Sequence, residues 1–137
     1  MYDYRVASVT RVVDGDTYDL VLRQPEPYDF GFYIMIDPTA TVRVRLLGWD
    51  TPEVRAGSVF ERNCATTATT VARAWWAEFW GSAWVHTEKS DDFGRWLGHV
   101  WRDNGSDLGE VLAAEGLATQ WPTRWREVYD KRVGGGL

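Results

Sequence analysis

The first half of the chain alternates apolar and polar residues with a period of two. "RVASVTRVV" (5–13) is rich in β-branched residues and reads as a strand. "DGD" (14–16) is a turn, because Asp and Gly tolerate tight backbone angles. "TYDLVLR" (17–23) is the return strand of a hairpin. "QPEPYDFG" (24–31), broken by prolines, is a loop; "FYIMID" (32–37) is a further strand, and "PT" (38–39) interrupts the chain again. "TVRVRLL" (41–47) alternates strictly, so Val42, Val44 and Leu46 face one way and Arg43 and Arg45 the other.

The period then changes. Between about Ser58 and Trp80, Phe60, Cys64, Ala68, Val71, Trp75 and Phe79 recur in steps of three and four, which marks one face of an α-helix. Cys64 lies on that face and reads as a small buried hydrophobe rather than a nucleophile. Trp76 and Trp80 fall beside the stripe, where they either widen the core contact or offer a surface to a partner. "AWVHTE" (83–88) and "RWLGHVWR" (95–102) are strands separated by the turn "KSDDFG" (89–94). "DNG" (103–105) is a turn, and Asp107, with Glu110 three residues later, caps a short helix "LGEVLAAE" that stops at Gly116. Pro122 opens a last helix over 123–132, and "GGGL" (134–137) is a frayed tail. Short antiparallel strands with a helix inserted after the third predict a β-rich α+β fold built on a small closed barrel of the OB type. No repeat or linker divides the chain, so residues 1–133 are expected to form one domain.

Composition narrows the classes. With 137 residues, 45% of them hydrophobic and 26% charged, the chain suits one globular domain with a sizeable core. No apolar run approaches the roughly 20 residues needed to cross a bilayer. The N-terminal "MYDYRVASVT" lacks the basic and apolar regions of a signal peptide, and with a single cysteine the expected setting is intracellular, the cytoplasm included. The net charge of −5 argues against broad electrostatic capture of nucleic acid but leaves room for a local basic cleft.

The candidate chemistry gathers around two turns. Asp14 and Asp16 offer carboxylate oxygens from the hairpin turn. "DTPE" (50–53) adds Asp50, a carbonyl or hydroxyl oxygen of Thr51, and Glu53 behind the rigid Pro52. "DGDTYD" is not an EF-hand loop: Tyr18, Asp19 and Pro25 occupy the fifth, sixth and twelfth positions. Oxygen donors of this kind suit Ca²⁺, which takes about six to eight of them, waters included. His86 and His99 lie in different strands and read as partly buried strand residues, not ligands. Arg45 and Arg95 supply guanidinium forks that match phosphate oxygens. A divalent cation, two arginines and a free carboxylate together make a phosphoryl-transfer set.

"VVDGDTYDL", "VRVRLLGWDTPE", "DDFGRWLGHVW" and "LGEVLAAEGLA" follow, in order, the motif series of the staphylococcal nuclease (thermonuclease) family, which the chain resembles over roughly residues 5–119. The resemblance implies a five-stranded OB-type barrel with three helices and Ca²⁺-dependent hydrolysis of DNA and RNA that leaves 3′-phosphate ends. It implies Asp16 and Asp50 as metal carboxylates, with the backbone oxygen of Thr51 joining them and Asp14 just outside the direct ligands. Glu53 matches the carboxylate that activates water, and Arg45 and Arg95 match the phosphate-binding arginines. The chain departs from the best-known members at Asp92 and Phe93, before "GR", and beyond "EGLA", where "TQWPTRW" stands in place of nucleotide-contacting tyrosines. Trp121 or Trp125 is a candidate to stack on a base instead. The loop at 24–40 is longer than in the shortest members. Two other readings remain open: a non-catalytic nucleic-acid- or protein-binding module on the same barrel, and an interaction domain that engages a protein through Trp76 and Trp80.

Overall fold

The computed structural model describes residues 2–25, 28–29, 35–36, 38–90 and 94–130. The hairpin forms as the alternation predicts. Strand β1 (Tyr2–Val12) pairs antiparallel with β2 (Thr17–Arg23), across register irregularities at Val6/Ser8 and Val9/Arg11 that bend the pair. Two short strands, β3 (Tyr28–Asp29) and β4 (Met35–Ile36), pair with each other. The rest of the strand expected over 32–37 lies outside the described residues, as do Asp92, Phe93 and the 134–137 tail. Strand β5 (Thr39–Leu46) pairs with β2 and buries Val44 and Leu46 while its arginines face outward. After the short β6 (Trp49–Asp50) come helix α1 (Val59–Phe79), a single 3₁₀ turn (Trp80–Ser82), β7 (Ala83–Ser90) and β8 (Trp96–Arg102). Helix α2 (Leu108–Ala114), β9 (Thr119–Gln120) and helix α3 (Trp125–Tyr129) complete the order.

Five strands close into a barrel in the order β1-β2-β5-β8-β7, with β5 and β8 parallel and the other pairings antiparallel. This is the OB-type α+β architecture with three helices. Leu20, Val44, Val85 and Val100 fill the barrel, each fully buried. Helix α1 lies against this core through Ala65, Ala68 and Ala72, whose small side chains permit a close approach, and through Trp75 and Trp76. Ser58 caps α1 by accepting the Glu61 N–H at 3.2 Å. Four threonines, poor helix formers by propensity, turn their hydroxyls onto the carbonyls one turn back, as Thr69 does to Ala65 at 2.9 Å.

Some expectations are corrected. Trp76 is 1% exposed and packs edge-on against Tyr18 and Trp75, so it belongs to the core and offers no partner surface. The last helix does not start at Pro122. The Thr123 N–H donates to the Gln120 carbonyl, closing a turn over that proline, and the helix begins at Trp125 with Arg124 as its cap residue. His86 and His99 do lie in two strands, β7 and β8, where they stand directly opposite each other, bonded to Asp3 and Asp107 respectively; His86 is half-buried, but His99 is exposed.

Candidate active site

The "DGD" turn is built by its own sequence. Val13 and Asp14 N–H groups close on the Thr17 carbonyl at 2.9 and 3.2 Å, and the Asp14 carboxylate accepts the Asp16 N–H at 3.1 Å. The buried Tyr18 hydroxyl donates to the Gly15 carbonyl from beneath. Gly15 is needed for space: a Cβ there would stand 2.8 Å from that of Ala68 on α1. Thr17 pairs in register with Arg45, so the β2–β5 ladder delivers the arginine to the turn. Arg45 then bridges two carboxylates, Asp16 at 3.3 Å and Asp50 at 3.6 Å.

Asp50 is fixed from the other side. Strand β6 pairs with β9, Asp50 opposite Thr119, a contact with no forewarning in the hydrophobic pattern. The Asp50 carboxylate accepts the Trp125 N–H at 2.8 Å and so caps the start of α3. Thr51 and Pro52 follow it into the interior, and Glu53 emerges exposed. The loop is pinned by Glu61, a carboxylate only 2% exposed, which accepts the Glu53 N–H at 2.9 Å. Arg126 of α3 spans both carboxylates, with 3.2 Å to Glu53 and 3.2 Å to Glu61. Neither Glu61 nor Arg126 was assigned a role in the site from sequence. Ser58 and Glu61 do form a Ser-x-x-Glu capping pattern, which is the one signal that marks Glu61.

These segments enclose a cleft of about 700 Å³. Asp14, Asp16, Arg45, Asp50, Thr51, Glu53 and Arg95 all line it, and so does Trp121, which is 53% exposed. Trp125 does not. Its indole is 1% exposed, stacked between Phe60 and Tyr129, and donates to the Gly116 carbonyl, so no face of it is open to a base. The cleft also holds Arg11, Arg55 and Arg124, to which the motifs assign no role.

Negative charge is crowded at the turn. The Asp14 carboxyl is pushed up to about 7, first by burial and then by the Asp16 charge beside it. Asp50 is also raised, by burial first and by the Asp16 charge as well, with the Trp125 N–H and Arg45 opposing. Among the described residues no three His, Cys, Asp or Glu side chains gather into a metal cage. The available donors are all oxygen: two carboxylates around Arg45, with Thr51 next to Asp50. Such a set leaves most positions to water. It fits a hard cation that accepts six to eight oxygens rather than zinc, which takes nitrogen and sulfur. Burial is the main cause of the rise at Asp14; the Asp16 repulsion that adds to it is of the kind a bound divalent cation relieves.

A small OB-type barrel with a charged cleft between its β1–β2 turn and its helices defines a nuclease-like or nucleic-acid-binding class of domain. The model of the staphylococcal nuclease homologue family matches residues 43–133, and the chain belongs to that family. A search of curated proteins found no match.

Proposed function

We propose that the protein is a Ca²⁺-dependent nuclease that hydrolyses phosphodiester bonds of DNA or RNA and leaves 3′-phosphates. The observation that supports this reading is a meeting of distant segments. Asp16, Arg45, Asp50, Thr51, Glu53 and Arg95 come from the hairpin turn, β5, the β6 loop and the start of β8, and line one cleft. In this reading residues 1–133 act as one domain.

Asp16, Asp50 and the backbone oxygen of Thr51 would hold the cation. When bound, it supplies Lewis-acid stabilisation of charge on the phosphoryl oxygens. Arg45 and Arg95 fork onto the non-bridging oxygens and strengthen as charge builds there. Glu53 orients the attacking water and accepts its proton as the water oxygen bonds to phosphorus; the bond from phosphorus to the 5′ oxygen breaks, and that oxygen leaves as a hydroxyl with a proton from solvent. Glu61 and Arg126 keep the Glu53 loop in place. Trp121 offers the stacking face that Trp125 lacks.

The test is cleavage of end-labelled single- and double-stranded DNA and of RNA by the purified protein, in Ca²⁺ or in chelator, with end-group analysis. The expected result is cleavage in Ca²⁺ alone, with 3′-phosphate ends. No cleavage of any substrate in Ca²⁺ would leave the non-catalytic binding module as the better reading.

A further inference from the structure

A groove of about 540 Å³ runs between β1 and α1 and abuts the cleft, because Arg11 lines both. Ser8 and Thr10 present hydroxyls from the exposed face of β1. Arg73 comes from the exposed face of α1, and Trp80, 46% exposed, from the turn after it. Trp76 closes the floor. Seven residues are about two helical turns, so Arg73 and Trp80 project to the same side. Arg11 and Arg73 make no ion pair with a described carboxylate, although the charge of Arg11 acts on Asp19, its register partner on β2. Among the described residues no carboxylate lines the groove.

We propose that this groove extends the cleft and binds a single-stranded polynucleotide beyond the bond being cut. Phosphates lie on Arg11 and Arg73 and the hydroxyls, and one unstacked base lies on Trp80. The inference rests on the cleft acting on polynucleotides. Two features favour this occupant over a protein segment. Guanidinium and hydroxyl donors beside an open indole match a phosphate–base repeat. Continuity through Arg11 also gives one strand an unbroken path, even though the chain as a whole carries a charge of −5.

The variants are Arg73→Gln, Trp80→Ala and Trp80→Phe, all at exposed positions and away from the catalytic residues, with folding checked by circular dichroism. Fluorescence anisotropy measures binding, in chelator so that nothing is cut, of labelled single strands of about 16 and about 4 nucleotides, the span of site sizes for OB folds. The wild type should bind the long strand more tightly than the short one. Arg73→Gln and Trp80→Ala combined should weaken the long strand by about tenfold or more and leave the short one unchanged. Arg73→Gln alone should flatten the log–log salt slope by about 0.7, the share of one phosphate on a single strand. Trp80→Phe should retain the affinity that Trp80→Ala loses. Long-strand binding that ignores the variants, or long and short strands weakened alike, would overturn the groove. Loss of long-strand binding in a protein that cuts nothing would keep the groove and refute the nuclease reading. A protein that cuts normally with unaltered long-strand binding would do the reverse.

Discussion

Glu53 reaches the cleft on a loop held at its backbone by buried Glu61 and at its side chain by Arg126. Its replacement separates binding from chemistry. Glu53→Gln should keep the fold, Ca²⁺ affinity and nucleotide affinity, while single-turnover cleavage falls by about 10²–10⁴, the usual worth of a positioned base. Near-wild-type cleavage would remove Glu53 from that role, and lost Ca²⁺ binding would make it a ligand instead. Arg45→Ala should weaken nucleotide binding and turnover together, since one guanidinium serves both states. Arg126→Gln strips charge from the pair with buried Glu61. It should cost about 1–3 kcal/mol of stability, the penalty for a poorly satisfied buried acceptor, measured by denaturant unfolding. It should also lower kcat more than it raises KM, with Arg126→Lys restoring part of the rate. Asp16, Arg45 and the "DTPE" residues, which motifs single out, do line one cleft. Glu61 and Arg126 were not legible as site residues, because their partner lies 8 and 73 positions away and nothing local to a helix distinguishes a bridging charge from a solvated one. Trp125 and Trp121 show the same limit. Both stand near a proline in polar surroundings, and only packing against Phe60 and Tyr129 removes one of them from the surface.

Elements whose period was strong emerged nearly as read: β2 occupies Thr17–Arg23, and α1 runs from Val59 to Phe79 behind its Ser58 cap. Short elements held by distant contacts did not, as β6 and β9 show, each only two residues long and each the other's sole pairing among the described residues. The junction of α2 with that pair offers a packing test. A Cβ on Gly109 would lie 2.0 Å from the Trp49 indole nitrogen. Gly109→Ala must therefore displace Trp49, the neighbour of Asp50. It should cost about 1–3 kcal/mol by overpacking and weaken Ca²⁺ binding, as thermal melts and Ca²⁺ titration would show. An unchanged melt would mean that the indole has room to move. The start of α2 carries a pH test. His99 is raised above its ordinary value by its bond to Asp107, burial opposing and the charges of Asp107, Glu110 and Asp3 adding. Asp107 is lowered: burial acts against this, but the bonds from His99 and from the Glu110 N–H prevail. The histidine contribution is fully present below about pH 6.5, the unfolded value, and is lost as pH rises through the higher folded value. The Asp107 contribution is present above about pH 4, and is lost as pH falls through the lower folded value. The stability gap between wild type and His99→Gln should therefore be widest at pH 5–6 and narrow on the alkaline side. A gap independent of pH would show the pair to be a neutral hydrogen bond.

For the molecule as a whole, the balance of charge and its placement disagree usefully. The chain carries −5, yet its cleft gathers Arg11, Arg45, Arg55, Arg95, Arg124 and Arg126 around the carboxylates. Binding should follow the cleft rather than the total. With about two to four phosphates neutralised, the log–log salt slope on a single strand should fall between about −1.5 and −3. A slope steeper than about −5 would reveal basic surface beyond the cleft and its groove. The global fold was legible because order and type of elements, together with the motif series, constrain a small closed barrel strongly. The cleft as an enclosed volume was not, since it depends on how α3 and the β6–β9 pair close over the turn. The most direct measurement is the cleavage rate of one labelled single strand as Ca²⁺ is titrated, for the wild type and for Asp16→Asn, with Mg²⁺ in place of Ca²⁺ as a third series. The expected result is saturable cleavage by the wild type in Ca²⁺, poor cleavage in Mg²⁺, which demands near-octahedral geometry, and almost none by folded Asp16→Asn. Full activity in Mg²⁺ with Ca²⁺ chelated, or wild-type cleavage by Asp16→Asn, would contradict the assignment of this cleft as a Ca²⁺-dependent nuclease site.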